Sequence, residues 1–436
     1  MGLGVVGSGV ARALAHKARA IEASVGRPVR LTAALVEHPR RRRSDVPTGL
    51  RITGEAADIL DDPAVDIVVE VIGGEEPAFG HIQRALHNGK HVVTANKEVM
   101  AKHGPEVLAH AAEHGVSIGF EGSVGGGIPI IGPLLRELAA NEIGAVNAII
   151  NGTTNYMLTR MASDGLDYAD ALAEAQRLGY AEADPASDVD GIDAAYKLAV
   201  LSSLAFRTIV RDTDVYREGI GRLAPADFAY AAELGYAVKL VAICKRVGDV
   251  LQARVHPAFL PLAHPLAKVD GVYNAVELEG DLVGWAMFQG PGAGAQPTTS
   301  AVLGDVMWIA QGVAASAPPL RPPALDRGLR IQPMADLETK YYLRLRASDR
   351  PGVMAQITRV LGDLHVSLAS VIQKEVVDAA GTAEIVITTH TAKESAVQQA
   401  VMKLAALDVV IEVSNLVRIE DGAPSRSPRA RPARRR

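Results

Sequence analysis

Between Arg177 and Lys197 the chain gathers Glu182, Asp184, Asp188, Asp190 and Asp193, and the stretch ends on Lys197 itself. Asp193 and Lys197 stand four residues apart at the start of an apolar helical pattern, so both fall on one helix face. A lysine among carboxylates can exchange a proton if burial and charged neighbours tune it. On a solvated loop the same two residues would form only an i,i+4 ion pair worth about 0.3–0.5 kcal/mol. The stretch therefore reads either as a polar pocket or as a surface loop, and the surrounding elements decide which.

Those elements alternate between strand and helix. Gly2-Leu3-Gly4-Val5-Val6-Gly7 is a G-x-G-x-x-G followed by helical spacing over Val10 to Ala23. The motif carries meaning only between a strand and a helix. The preceding strand, central in a dinucleotide-binding sheet, is missing. We expect a truncated or misassigned start, with weaker cofactor binding or stability, and a higher thermal midpoint when upstream apolar residues are added. Arg30 to Val36 reads as the next strand, ending at Glu37 and the run Arg40 to Arg43. An acid there suits an adenosine ribose and an arginine suits a 2′-phosphate, so NAD and NADP both stay open. Arg41 to Arg43 otherwise read as a solvated loop.

Asp66 to Ile72 is the near-continuous apolar run of a strand buried on both faces. A helix over Pro77 to Asn88 and a strand over His91 to Thr94 follow, delivering Ala95-Asn96-Lys97-Glu98 at a strand's carboxyl end, where open α/β sheets bind ligands. After a helix over Pro105 to His114 and a strand over Val116 to Phe120 comes Glu121 to Pro129, with three consecutive glycines. It suits a ligand-facing loop or a hard-cation site of carbonyl oxygens. Ala148 to Tyr156 is a strand running into a polar loop. Phe288 to Thr299 is a second Gly-rich loop opening a helix, whose free amides favour anionic or polar ligands. His256 and His264 are placed in loops, with no carboxylate or cysteine at ligand spacing. Ala314 to Asp336 reads as a Pro/Ala-rich linker, and 339–420 as an independent βαββαβ domain.

Length suggests two to three domains, and abundant Gly and Ala with 4% aromatics suit an α/β protein with tight turns. Six arginines fall in the last eleven residues; subtracting them from the net charge of -5 leaves -11 for the body. Nothing in that balance suggests a nucleic-acid-binding body. The basic tail, 421–436, is expected to be disordered. A lone cysteine, Cys244, excludes a disulfide framework and fits a reducing compartment. With no apolar run long enough for a bilayer and no signal-peptide pattern, a cytoplasmic location is expected.

Seven local patterns then stand in a specific order: Gly2 to Gly7, Thr94 to Lys97, Glu121 to Pro129, Asn151-Gly152-Thr153-Thr154-Asn155, Gly179 to Glu182, Asp188 to Lys197, and Gly290 to Thr298. In that order residues 2 to 313 resemble the homoserine dehydrogenases of the monofunctional form, and the C-terminal segment resembles an ACT domain with Asp349 to Val353 at its ligand loop. The resemblance implies NAD(P)-dependent interconversion of L-homoserine and L-aspartate 4-semialdehyde in threonine, methionine and isoleucine biosynthesis. The implied architecture has three parts. They are a Rossmann-type domain over 1–146 with helix 297–313 packed back on it, a substrate and dimerisation domain over 147–296, and the ACT domain after the linker 314–338.

The same resemblance implies the site. Lys197 is the acid/base; Glu182 and Asp193 hold the substrate, whose ammonium group accounts for the excess of carboxylates; Asp188 supports the lysine. Lys97 and Thr94 line the cofactor and substrate site. Gly4, Val5, Val6, Gly7, Arg40, Gly179 and Gly292 approach the cofactor. Glu121, Val124, Gly126 and Ile128 match a sodium site made mainly of carbonyl oxygens. Feedback by threonine and a homodimer or homotetramer are further expectations. Two departures stand out: Gly122 replaces an expected alanine, and the first strand is absent. The rival readings are an aspartate-semialdehyde dehydrogenase using Cys244 and a catalytically inactive amino-acid sensor.

Overall fold

The computed structural model describes residues 1–41, 46–47, 49–319, 324–374 and 381–421. Arg42, Arg43 and the tail from 422 onward lie outside them.

The N-terminal third is a parallel Rossmann-type sheet in two parts. β1 (Ala33–Leu35) pairs with β2 (Arg51–Thr53), and β3 (Ile67–Glu70) pairs with β4 (His91–Thr94), which pairs with β5 (Ile118–Gly119). Among the described residues, the backbone hydrogen bonds between the halves come from the first two residues of the chain. The Gly2 amide donates to Leu35 O at 3.0 Å, the Val71 amide to Met1 O at 3.0 Å, and the Met1 amine to Val69 O at 2.6 Å. Beyond Met1 the halves flank a groove of about 490 Å³ lined by Val29, Leu31, Ile67, Val69 and Val306. Residues 30–32 have no strand partner there, which is why the strand expected from Arg30 shortens to Ala33–Leu35.

Helices α1 (Val5–His16), α2 (Ala18–Val25) and α12 (Ala295–Ala314) share one apolar cluster built on Val10, Leu14, Ile21, Val302 and Val306. α3 (Ala57–Leu60) and α4 (Ala78–His87) lead into α5 (Lys97–Glu113). α5 begins eight residues before the expected Pro105, because the Asn96 side chain accepts from the Val99 amide at 3.1 Å and caps it there. Lys97 is thus the first residue of a long helix. α6 (Ile131–Leu135) ends this part of the chain.

The rest is organised by one large sheet. β6 (Ile143–Ile149), β8 (Tyr236–Val247), β9 (Val250–Pro261), β10 (Tyr273–Gly280) and β11 (Gly284–Pro291) form its first half, with β7 (Tyr216–Arg217) and β12 (Arg330–Ile331) paired in parallel to β9. Helices α7 (Gly152–Asp164), α8 (Tyr168–Arg177), α9 (Ala186–Val189), α10 (Ile192–Phe206) and α11 (Pro225–Glu233) accompany it. The C-terminal unit is β13 (Glu338–Ser348), α13 (Val353–Asp363), β14 (Leu368–Gln373), β15 (Thr382–Thr389), the short β16 (Ala392–Lys393), α14 (Glu394–Ala405) and β17 (Val410–Ile419).

Here the structure departs from an independent domain on a linker. β17 pairs in parallel with β9, so one strand path, β11-β10-β6-β8-β9-β17-β13-β15-β14, runs through both units. Arg418, 1% exposed, holds Glu394 at 2.6 Å within its own unit and Glu218 at 2.9 Å across the junction. Arg344 holds Asp227 at 2.7 Å. His256, expected in a loop, lies fully buried within β9, because β9 continues through Pro257 to Pro261 against β8.

Candidate active site

The acidic stretch folds inward. After α9, Gly191 takes φ +75° and turns the chain into α10, a helix buried along most of its length. Asp193 is 2% exposed and Lys197 8%, which removes the solvated ion-pair reading. Lys197 Nζ donates to Asp193 Oδ2 at 2.7 Å and to the Ile150 carbonyl at 2.8 Å. The opposite oxygen, Asp193 Oδ1, accepts from Lys97 at the first turn of α5. One carboxylate thus serves two lysines from two domains.

Asn151 completes the cluster, a residue for which the sequence offered a motif but no role. It caps α7, accepting from the Thr154 amide at 2.9 Å. Its Nδ2 donates to Asp188 Oδ1 at 2.7 Å and to Asp193 Oδ2 at 2.9 Å. Asn before a helical run is a cap signal that sequence reading could have used. Thr153 donates to the Tyr180 carbonyl at 2.7 Å, which ties the Gly179–Glu182 turn to the same helix start. Gly179 takes φ +77° in that turn. Glu182 is exposed, and its charge acts on Lys97.

The electrostatics separate the two lysines. Burial is the largest effect on Lys197 and lowers its pKa, with the Lys97 charge adding to the drop against the pull of Asp193. Lys97 is also penalised by burial, but Asp193, Asp188 and Glu182 outweigh that and raise its pKa. Asp193 is pulled far down, its burial overcome by both ammonium groups. Burial and charged neighbours thus shift the two lysines in opposite directions. In its neutral form Lys197 would donate its two N–H bonds to Asp193 and Ile150 and keep one lone pair.

The glycine motif fits a dinucleotide. A Cβ on Gly2, at φ +90°, would meet Val71 O at 2.8 Å, and one on Gly7 would meet Gly2 O at 2.0 Å. At Gly4 a Cβ would meet nothing within 4 Å. The first glycine makes the turn, the third allows close packing, and the second leaves room for a pyrophosphate. Gly4 precedes α1, whose first-turn amides of Val5, Val6 and Gly7 have no partners within the helix; Val5 is 71% exposed. The start of α12 lies alongside, where a Cβ on Gly9 would meet Thr299 Oγ1 at 2.3 Å. Gly292, just before α12, touches Asn274, and its carbonyl sits against Gly126. Thr94 donates to buried Glu70 at 2.6 Å and accepts from the Asn96 amide at 3.0 Å, so it fixes the turn into α5. Arg40 is exposed in the turn after β1.

Glu121 belongs to a 3-10 turn at Glu121–Ser123. Its carboxylate accepts from the amides of Ile130, Ile131 and Gly132 at 2.5, 2.8 and 2.7 Å, so it holds the start of α6. Among the described residues, the carbonyls of Val124, Gly126 and Ile128 accept no backbone hydrogen bond. Gly122 has a packing reason: a Cβ there would meet Ala95 Cβ at 2.9 Å and Val302 at 3.2 Å.

Beside this loop, Asp305 accepts from the Glu121 amide at 2.8 Å, and burial pushes its carboxyl up to about 7. Such a group is protonated in the fold but ionised in the unfolded chain between about pH 4 and pH 7, so stability falls as pH rises through that window. Asp305→Asn keeps an acceptor for Glu121 and removes the ionisation. Its melting temperature should gain on the parent's progressively across that window and then level off. A difference constant with pH would exclude this account.

Cys244 is buried in β8, and burial pushes its thiol up to about 12. That leaves no reactive thiolate at neutral pH. His256 is buried at the junction, its pKa lowered to about 4 by burial. His264 is also buried and caps a short turn by accepting from the Leu266 amide at 3.1 Å.

Comparison with known proteins finds relatives along nearly the whole chain. Residues 2–121 match the family model for the NAD binding domain of homoserine dehydrogenase, 129–307 the homoserine dehydrogenase model, and 341–409 the ACT domain model. The homoserine dehydrogenase of Mycobacterium tuberculosis is 45% identical over 430 residues, covering 96% of each chain. That of Neisseria gonorrhoeae is 41% identical over 425 residues, covering 96% of this chain and 97% of its own. A crystal structure of the Thiobacillus denitrificans homoserine dehydrogenase matches with a TM-score of 0.90 and 43% identity, over 96% of this chain and 97% of that one. A hyperthermophilic archaeal homoserine dehydrogenase in complex with NADPH matches with a TM-score of 0.58 and 27% identity, over 73% of this chain and 98% of that one.

Proposed function

This chain belongs to the homoserine dehydrogenase family, and on that premise we propose that Lys197 exchanges the substrate proton while Asp193 and Lys97 set its protonation. The chain is an oxidoreductase of the L-homoserine/L-aspartate 4-semialdehyde pair and has a nicotinamide-binding domain. The observation that carries the residue assignment is the single buried carboxylate shared by Lys97 and Lys197.

In the oxidising direction the hydroxyl proton passes to the Lys197 lone pair, and the carbon bearing that hydroxyl becomes an aldehyde. A bound nicotinamide would supply the acceptor for the hydride that leaves the same carbon. The reverse reaction returns the proton from Lys197 to the aldehyde oxygen. Asp193 is already filled by two lysines and Asn151, so its role is to position them. Glu182 and the free oxygen of Asp188 then take the substrate ammonium, and Lys97, kept cationic, faces the substrate carboxylate.

Arg40 supports NADP as the cofactor by offering a guanidinium for the 2′-phosphate. Turnover of homoserine followed by nicotinamide absorbance with NAD and NADP in turn tests both function and cofactor choice. Arg40→Ala should raise the KM for NADP about tenfold or more and leave that for NAD unchanged, since a charge-assisted contact contributes roughly 1.5–3 kcal/mol. No turnover with either cofactor would remove the functional reading; equal effects on both would remove the role of Arg40. For sodium we propose the carbonyls of Glu121, Val124, Gly126 and Ile128, supported by the commitment of the Glu121 carboxylate elsewhere.

The ACT domain points to amino-acid regulation. We propose threonine as the effector, acting through the junction. Glu218, bound to Arg418, adjoins Gly219 and Ile220, and the Ile220 amide donates to the Val189 carbonyl at 2.9 Å, just before Asp193. Threonine should inhibit the parent enzyme but not a variant lacking the Arg418 guanidinium; equal inhibition of both would break this route. A dimer or tetramer is supported by exposed Leu282, Val283 and Trp285 at the β11 edge. No helix among the described residues is long and apolar enough to cross a membrane.

A further inference from the structure

Three histidines meet on the outer end of the Rossmann-type domain, away from the chemistry. His87 is the last residue of α4, His110 lies in the last turn of α5, and His114 is the cap residue of that helix. One ligating nitrogen from each lies within 4.8 Å of the other two. The rings of His110 and His114 are 4.4 Å apart, and that of His87 is 5.3 Å from His114. His110 and His114 are four residues apart on one helix face, a spacing that lets two imidazoles share one ion.

The surrounding hydrogen bonds arrange the nitrogens for ligation. His110 Nδ1 meets Gln83 Oε1, which can only accept; the orientation of that amide is set because Gln83 Nε2 donates to Glu106 at 2.7 Å. His114 Nδ1 meets the His110 carbonyl at 3.1 Å, also an acceptor. Both histidines therefore carry their proton on Nδ1 and keep an Nε2 lone pair. Metal-bound imidazoles are held this way, with the far nitrogen donating to a carbonyl or amide oxygen.

We propose that His87, His110 and His114 form a divalent-metal site for a borderline ion such as Zn²⁺, with Gln83 orienting His110. Three imidazoles with a fourth position left to water is an ordinary zinc donor set. At Zn–N distances of about 2.0–2.1 Å the nitrogens must draw together by at most about 1.5 Å, within reach of side-chain rotation because the three residues are exposed or half-buried. The site joins the C-terminal ends of α4 and α5. It is about 25 Å along α5 from Lys97, so its effect falls on stability and not on the reaction.

The test uses tag-free, full-length protein stripped with a chelator. Calorimetric titration with Zn²⁺ should give one ion per chain, and Co²⁺ should give the visible ligand-field bands of a histidine-bound low-coordinate ion. Zn²⁺ should raise the melting temperature of the parent and leave homoserine turnover unchanged. His110→Ala with His114→Ala should abolish the heat, the bands and the thermal shift, while Gln83→Met should weaken binding about tenfold or more and keep the stoichiometry. Absence of one-to-one binding would overturn the site. So would binding that the double variant retains, because the chain carries twelve histidines and the ion would then sit elsewhere.

Discussion

Replacing Lys197 with alanine is expected to lower kcat by about 10³-fold, within the range of a positioned acid/base, with the fold intact. The fold should hold because Asp193 keeps Lys97 and Asn151 as partners, so no buried carboxylate is orphaned. Lys197→Arg is the sharper variant. It places a permanent cation beside Asp193 that cannot lose its proton near neutral pH, so it should be about as inactive as the alanine variant. Steady-state turnover by nicotinamide absorbance reads both, and the residual rate should lose the pH dependence set by the lysine. Turnover by either variant within a few-fold of the parent would end the assignment.

Asp193→Ala should do more damage, and of a different kind. It leaves two lysine amines facing each other with their shared counter-ion gone. Removing one partner from a buried pair costs about 3–5 kcal/mol because a charge is left uncompensated. We expect a loss of that size in denaturant unfolding of the part that contains α10, together with loss of turnover. Asp193→Asn keeps an acceptor for Lys197 and should fold better than the alanine variant while remaining far less active. If the alanine variant unfolds at the parent's midpoint, the lysines are not held by this carboxylate, and Lys197 loses the neighbour that sets its protonation.

The two experiments separate chemistry from architecture. In the proposed mechanism Lys197 supplies the lone pair, and Asp193 is the buried carboxylate that holds the amine in place. Their roles could not be divided from spacing alone. In the chain they are an i,i+4 pair, and an exposed pair of that kind is worth a few tenths of a kcal/mol. Burial of α10, and the arrival of Lys97 from another domain, put the same pair into a buried cluster in which one carboxylate faces two lysines, and the proposed acid/base role rests on that.

Much of this protein was legible locally. The spacing of Gly2, Gly4 and Gly7 encodes a turn, an open approach and a close contact, and each reappears in what a Cβ would meet. The βαββαβ order of the C-terminal unit follows from apolar periodicity and turn residues, which act over a few neighbours. The start of α5 was misplaced because Pro105 looks like a beginning, whereas the Asn96 cap acts first. The continuity of β9 with β17 was invisible, since a parallel pairing of strands about 160 residues apart leaves no local pattern.

The sequence by itself therefore determined the set of groups: which residues can bend, cap, ligate or carry a proton, and which of them share a helix face. Tertiary structure alone decided how those groups are shared. It gave Asp193 to two lysines, drew Asn151 between Asp188 and Asp193, and committed the Glu121 carboxylate to the amides of α6. The reason is physical. Helical spacing is written in three or four residues, but desolvation and the sharing of one charge exist only after distant segments have closed around it.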